Sequence, residues 1–320
     1  MTDGTRTQPT KPLNRPDQGL DVVTGAFSYT GRAITAQLLA AGRSVRTLTN
    51  HPGRAGSDQE DVRALPLDFD DPVGLARSLE GASTLFCTYW VRFPHGGRTF
   101  TGAVENSRTL FGAAREAGVR RIVHVSITNP SLDSPFPYFR GKAEVEEALW
   151  EAGVPASVVR PTVVFGGNDV LLNNIAYLAR RLPVFAVAGS GAYRVRPVHV
   201  EDVARLCLEE AGNSAERAVV DAVGPEGFTF DELVTVITGA VGARTHLLHL
   251  PAALLPPLAG VLGLLLRDVL LTRDELGGMM AGLVDTDGPA TGRIDLRDWL
   301  AGEGRTLGRR YSSELARNYR

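Results

Sequence analysis

The sequence predicts an α/β fold: a doubly wound parallel sheet with helices on both faces, followed by a smaller C-terminal lobe. Three observations predict it. From Leu20 to about Gly166, short apolar runs alternate with helical stretches, the order expected when each crossover helix returns the chain to a parallel neighbour. The first apolar run ends in a glycine-spaced turn that opens a helix. Beyond Gly166 the rhythm loosens, and Pro and Gly become frequent, which marks the change to a lobe of different build.

The first strand is expected over Asp21–Thr24, and a helix follows through Ala33 to Ala41, ended at Gly42. Ser44–Thr49 reads SVRTLT as the second strand, and Arg63–Leu67 is a short third. Asp71 is placed to cap the next helix, with Pro72 at its first position, where a missing N–H costs nothing. Thr84–Thr88 is the fourth strand, and a helix from about Gly102 to Ala117 leads through Gly118 into the fifth, RIVHVS. Tyr138–Glu151 reads as helix, and Ala156–Val159 as the sixth strand.

Composition sets bounds. With 43% hydrophobic and 22% charged residues, the chain reads as an ordinary globular protein. A formal net charge of -2 gives no electrostatic case for nucleic acid as a partner. Cys87 and Cys207 lie in apolar runs and fit neither a disulfide framework nor a metal site; a reducing cytoplasm is the expected compartment. His124 and His199, each in an apolar run, read as core histidines, and no metal site is expected. The first stretch, 1–19, is polar and lacks the apolar centre of a signal peptide, so it reads as a disordered tail. Leu247–Leu266 is apolar enough to raise a membrane span, but Pro251, Pro256 and Pro257 break it and His249 lies inside. Buried helices of the C-terminal lobe are the expectation there, with a peripheral membrane contact or a greasy substrate left open.

Gly25, Ser28 and Gly31 form a G-x-x-S-x-x-G loop between the first strand and the first helix. The first glycine permits the tight turn and the last permits close helix–strand packing, so N–H groups at the helix start can receive a pyrophosphate. Phe27, Tyr29, Thr30 and Arg32 complete the loop and its first turn. This strand–loop–helix order is that of a Rossmann dinucleotide site. The second strand ends in Thr49, Asn50 and His51, with none of the acid that usually holds both ribose hydroxyls of NAD. Arg32 and Arg54 stand ready to pair with a 2′-phosphate, which favours NADP(H) and leaves NAD(H) open. Asp68 and Phe69, after the third strand, are expected to border the adenine.

Only Lys11 and Lys142 are lysines in a chain otherwise rich in arginine, which points to Lys142 for work that needs a compact ammonium with a shiftable pKa. Tyr138 precedes it by four residues, one helical turn, so both side chains share a face. A phenol titrates near pH 10, and a neighbouring ammonium would lower that; the same ammonium can hold a nicotinamide ribose.

With these motifs in this order, the chain resembles the extended or atypical short-chain dehydrogenase/reductases, a superfamily that includes NAD-dependent epimerase/dehydratases. RPTVVFG (Arg160–Gly166), RPVHVEDVA (Arg196–Ala204) and GPEGFTFDELV (Gly224–Val234) resemble further segments of that branch, and the likeness runs from about Leu20 to Val236. The resemblance implies that Asn106 is the active-site asparagine and that Ser126 or Thr128 orients a substrate oxygen. It also implies that Pro161 lines the cofactor. Two positions depart from the pattern: Ser28 stands for a glycine, and Ile127 interrupts the usual hydroxyl pair at the end of the fifth strand.

The resemblance implies a Rossmann domain over 20–166, with 196–222 returning to it, and a substrate lobe with C-terminal helices from 167–195 and 223–320. It further implies an oxidoreductase or epimerase-like enzyme acting on a small carbonyl, alcohol or sugar-like substrate by hydride transfer, as monomer or homodimer. The alternative is a cofactor-binding protein without turnover, similar to NmrA-like redox sensors or to an accessory or assembly protein of respiratory complex I.

Overall fold

A computed structural model of the chain describes residues 19–52 and 62–318. The polar stretch 1–18 and Arg54 lie outside the described residues. The first half runs β1 (Leu20–Thr24), α1 (Tyr29–Ala40), β2 (Ser44–Thr49), β3 (Val62–Pro66), α2 (Pro72–Leu79), β4 (Ala82–Cys87), α3 (Phe100–Glu116), β5 (Arg121–Val125), α4 (Pro137–Glu151) and β6 (Ala156–Pro161). The second half runs β7 (Val164–Phe165), α5 (Leu171–Ala179), β8 (Val184–Ala188), β9 (Arg194–Val195), β10 (Val198–His199), α6 (Val200–Ala211), β11 (Arg217–Ala222), β12 (Phe228–Thr229), α7 (Phe230–Ala240) and β13 (His246–Leu250). Four helices close the described chain: α8 (Leu255–Leu266), α9 (Arg273–Met280), α10 (Leu296–Glu303) and α11 (Glu314–Asn318).

Seven strands form one sheet in the order β11-β6-β5-β4-β1-β2-β3, every neighbouring pair parallel. The expected Rossmann-type α/β fold is therefore present, with the order reversing between β1 and β4. Successive strand residues point to opposite faces, and both faces are dry. Val22, Leu85, Ile122 and Val158 pack toward α2, α3 and α4 with Leu79, Leu110, Phe111 and Leu149. Their neighbours Val23, Phe86, Val123 and Val159 pack toward α1 and α6 with Ile34, Leu38, Val203 and Cys207. His124 is fully buried edge-on to Phe111, and burial holds its pKa well below the ordinary value, so it is a neutral core residue.

Local chemistry sets the element ends. Asp71 accepts from the Gly74 N–H and Pro72 opens α2, as its sequence predicts. Helix α3 starts two residues earlier than expected, because Thr99 caps it by accepting from the Gly102 N–H. Strand β4 ends before Thr88, whose hydroxyl and amide both turn to Thr24 on β1.

A second core gathers Phe165, Leu172, Val187, Phe228, Leu233, Ile237 and Leu300 from the C-terminal elements, around three two-stranded pairings, β7 with β10, β9 with β12 and β8 with β13. The expectation of buried helices over Leu247–Leu266 is corrected here. Pro251 ends a strand, β13, and the helix that follows is largely exposed, with only Leu255 and Gly263 buried. Among the described residues no helix is long and apolar enough to cross a membrane.

Asp202, in the HVEDVA segment, joins the two cores. It is buried at the start of α6; its Oδ2 accepts from the Arg293 and Ile294 amides at 2.8 and 2.9 Å, and its Oδ1 meets Arg205 at 3.3 Å. Replacing Asp202 with Ala leaves two amides and a guanidinium without their acceptor. The expected loss is about 2–4 kcal/mol of unfolding free energy, read as a lower urea midpoint at unchanged slope.

Candidate functional site

A cleft of about 2350 Å³ opens where the strand order reverses, between the sheet's C-terminal edge and the second core. That is where open α/β sheets place ligands. Gly25 takes φ +65°, a left-handed conformation that a side chain disfavours, and the turn closes with the Ser28 amide on the Gly25 carbonyl at 2.8 Å. A Cβ at Gly31 would lie 2.1 Å from that same carbonyl oxygen, so only glycine lets α1 sit this close to β1. Ser28 begins α1 without using its side chain as a cap. Its hydroxyl folds into the space the two glycines leave, 3.2 and 3.0 Å from where their Cβ atoms would be. The cradle is thus open at a helix start whose first N–H groups have no helical partner, which suits a pyrophosphate. Gly25, Phe27, Ser28, Tyr29, Thr30 and Arg32 all line the cleft.

Thr49 at the end of β2, Asn50 and His51 just past it, and Arg32 line the cleft, with no carboxylate among them. Phe69 lines the cleft and packs on Tyr89 with ring centroids 4.8 Å apart. Asp68 does not join it. That carboxylate folds back to accept from the Asp70 amide at 3.0 Å, a local turn bond that keeps it off the cleft wall.

At the far end, Tyr138 and Lys142 line the cleft one turn apart on α4, with Ser126 from the end of β5 and Pro161 from β6. Ser126 is buried, and its hydroxyl has no hydrogen-bond partner among the described residues. Thr128 is also buried but stays outside the cleft lining, its amide bonded to the Pro161 carbonyl. Asn106 reaches the cleft from α3 and donates to the Tyr89 hydroxyl at 2.8 Å.

The electrostatics depart from the sequence reading. Lys142 is buried, its ammonium donates to the Val125 carbonyl at 3.1 Å, and it lies 4.8 Å from the ring of Trp90. Burial pulls its pKa down to about 8, against the opposing pull of Cys87 and Glu146. Tyr138 turns its ring edge toward Trp90, Phe100 and Phe139. Burial pushes the Tyr138 phenol well above its ordinary value, Glu275 adds to this, and Arg92 opposes it. The expectation that Lys142 lowers the tyrosine pKa is not met: the ammonium is engaged by Val125 and Trp90, and the phenol faces the carboxylates of the C-terminal helices.

Sequence reasoning missed Trp90, Arg92, Glu275 and Glu314. Arg92, past β4, pairs with Glu275 on α9 at 2.5 Å and Glu314 on α11 at 3.3 Å, closing the cleft from the lobe side. Burial disfavours the Arg92 charge, but the two carboxylates outweigh it. Gly141 is what admits the indole, since a Cβ there would meet Trp90 at 2.8 Å. The aromatic run Tyr89–Trp90 directly after a fully buried strand was the available signal. Elsewhere the resemblance motifs prove structural. Arg160 pairs with Glu146, tying β6 to α4, and Tyr29 donates to the Gly166 carbonyl at 2.9 Å.

The NAD(P)H-binding family matches residues 25–213, more than half of the chain and the whole of this cradle. The chain belongs to that family. Among curated relatives, ceramide reductase of Caulobacter vibrioides is 28% identical over 242 residues, covering 73% of this chain and 74% of that protein. The mitochondrial NADH dehydrogenase [ubiquinone] 1 alpha subcomplex subunit 9 of Arabidopsis thaliana is 25% identical, covering 72% of this chain; the match spans only 60% of the plant subunit's length. Among solved structures, the Citrobacter triphenylmethane reductase complexed with NADP(H) aligns with a TM-score of 0.74 at 18% identity, covering 89% of this chain and 99% of the other. An NADPH-dependent quinone oxidoreductase from Escherichia coli, complexed with NADPH, gives 0.73 at 18%, covering 88% and 98%. These structural likenesses establish the fold. The family places the chain among NAD(P)H-binding proteins, in keeping with the cofactor site that the glycine loop implies.

Proposed function

We propose that the chain is an NADPH-dependent reductase of an apolar carbonyl compound. The observation that carries this reading is Tyr138, a phenol held protonated in an aromatic wall at the cleft's inner end. A protonated phenol can donate to a carbonyl oxygen as that oxygen gains charge, which is the role that carbonyl reduction asks of it. NADPH, held here, would supply the hydride that the carbonyl carbon takes up. Tyr138 passes its proton to the carbonyl oxygen and is reprotonated from solvent, so the product is the alcohol. Ser126, whose buried hydroxyl lacks a partner, donates a hydrogen bond that fixes the carbonyl. The Lys142 ammonium holds the nicotinamide ribose, Pro161 bounds it, and Asn106 positions the wall through Tyr89. Arg32, beside a β2 end without carboxylate, favours the 2′-phosphate of NADPH. Trp90, Phe100 and Phe139 make the substrate end apolar, and the likeness to a protein named ceramide reductase is consistent with that.

One observation favours a second reading, a cofactor-binding accessory protein without turnover. The Lys142 ammonium donates a hydrogen bond to the Val125 carbonyl and lies over the Trp90 ring instead of supporting Tyr138, and two relatives are named as subunits of an NADH dehydrogenase [ubiquinone] or NADH-ubiquinone oxidoreductase.

In the reductase reading, Tyr138→Phe lowers kcat for an apolar ketone by about 10²–10⁴-fold while NADPH affinity holds, and unchanged turnover would remove the tyrosine from the chemistry. NADPH binding should also be pH-dependent. The Lys142 ammonium titrates at about 8 without ligand, so affinity is flat below that value. Above it, affinity falls by up to about tenfold per pH unit as the ammonium is lost. Calorimetric titration of Lys142→Met across the same range should give weak binding that no longer responds to this ionisation.

A further inference from the structure

Helix α8 is apolar around its whole circumference, LPPLAGVLGLLL, and a helix of that kind is ordinarily buried. Here it is not: Leu264 and Leu265 are 81% and 78% exposed, and Leu258 and Val261 are exposed with them. The helix rests on the β8–β13 ribbon through Leu255, which packs with Ala188 and Leu276 and against Ala186 and Leu250. Register puts Val184, Ala186 and Ala188 on one face of the ribbon, paired with His246, Leu248 and Leu250. Exposed Val184 and Leu248 therefore extend the apolar face beyond the helix.

From Arg244 to Arg273 the chain carries three arginines and one acid, Asp268. Asp268 is buried and spent, accepting from the Tyr311 hydroxyl and from the Glu314 and Leu315 amides. Arg244, Arg267 and Arg273 are exposed and enter no ion pair among the described residues. His249, at the rim, pairs with Asp231. Leucines projecting between unpaired arginines, in a chain of net charge -2, are the complement of an anionic bilayer surface. The sequence of the N-terminal stretch 1–18 holds only two large apolar side chains, Met1 and Leu13. A second copy pairing through the same face would set the two groups of arginines against each other.

We infer that α8 and the adjoining ribbon face form a docking surface for an anionic lipid bilayer, with Leu264 and Leu265 entering the acyl boundary. The same segment runs on into the cleft, where Leu270 and Leu271 line the wall. Docking therefore brings the cleft's lobe side to the lipid, where an apolar carbonyl substrate would enter. That last step rests on the proposed reductase activity; the docking does not.

The test is flotation of the full chain with vesicles of phosphatidylcholine alone and of phosphatidylcholine mixed with phosphatidylglycerol. The expected result is flotation with the mixed vesicles and weak flotation with phosphatidylcholine alone. Leu264→Glu combined with Leu265→Glu should lower partitioning about tenfold or more, and Arg267→Glu combined with Arg273→Glu should remove the preference for the anionic lipid. All four positions are exposed, and NADPH titration of each variant, expected unchanged, reports on folding and on the cofactor site separately. Failure of the unaltered chain to float overturns the proposal, as does flotation that ignores the leucine pair. A dimer in solution that the leucine pair dissolves, without vesicle binding, assigns the face to a second copy and likewise overturns it.

Discussion

Everything at the cofactor end depends on one close approach, that of Gly31 to the carbonyl oxygen of Gly25. A Cβ at Gly31 would lie 2.1 Å from that oxygen, so its absence lets the first turn of α1 lie against the end of β1. The helix start then points its unpaired N–H groups into the crevice that the strand reversal opens between β1 and β4. Ser28 fits because its hydroxyl occupies the room the two glycines vacate. A serine at the position of the middle glycine is thus compatible with an open cradle, and the family match begins at this turn.

The other end of the cleft is governed by burial. Lys142 and Tyr138 sit one helical turn apart, yet their ionisations are pushed away from one another's help. The ammonium is lowered by desolvation and engaged by a carbonyl and an indole, and the phenol is raised by desolvation and by Glu275. A phenol that keeps its proton is suited to give it away once a carbonyl oxygen gains charge. The partly buried Arg92–Glu275–Glu314 group anchors the C-terminal helices over the cleft, and its two carboxylates, opposed by Arg92, bias Tyr138 toward the protonated form.

The sheet could be read in advance because its central strands are buried on both faces and β1, β3, β4 and β5 are each followed by a helix, α2 with the start signal Asp71–Pro72. The glycine loop and the Tyr138–Lys142 turn were readable for the same reason: both are local patterns with fixed spacing. What could not be read depends on distance or on competition. Glu275 is 183 residues from Arg92, and no local pattern announces that pair. Asp68 is not among the cleft-lining residues, and its carboxylate accepts from the amide of Asp70 two residues on, a local bond that the sequence reading did not weigh. Thr128 and Ser126 are equally polar in sequence; only the direction of the chain after β5 decides which one borders the cleft. The leucine-rich helix was misjudged because composition is the same for a buried helix and for one whose partner lies outside the chain.

The most direct test of the account is a single-turnover reaction with NADPH carrying deuterium at the transferable position of nicotinamide C4, mixed with the protein and a panel of apolar ketones and quinones. The account predicts that deuterium appears on the carbinol carbon of a ketone product, in amounts stoichiometric with bound cofactor. Bound NADPH that retains all of its label against every member of the panel would contradict it, and would assign the cleft to cofactor holding without turnover.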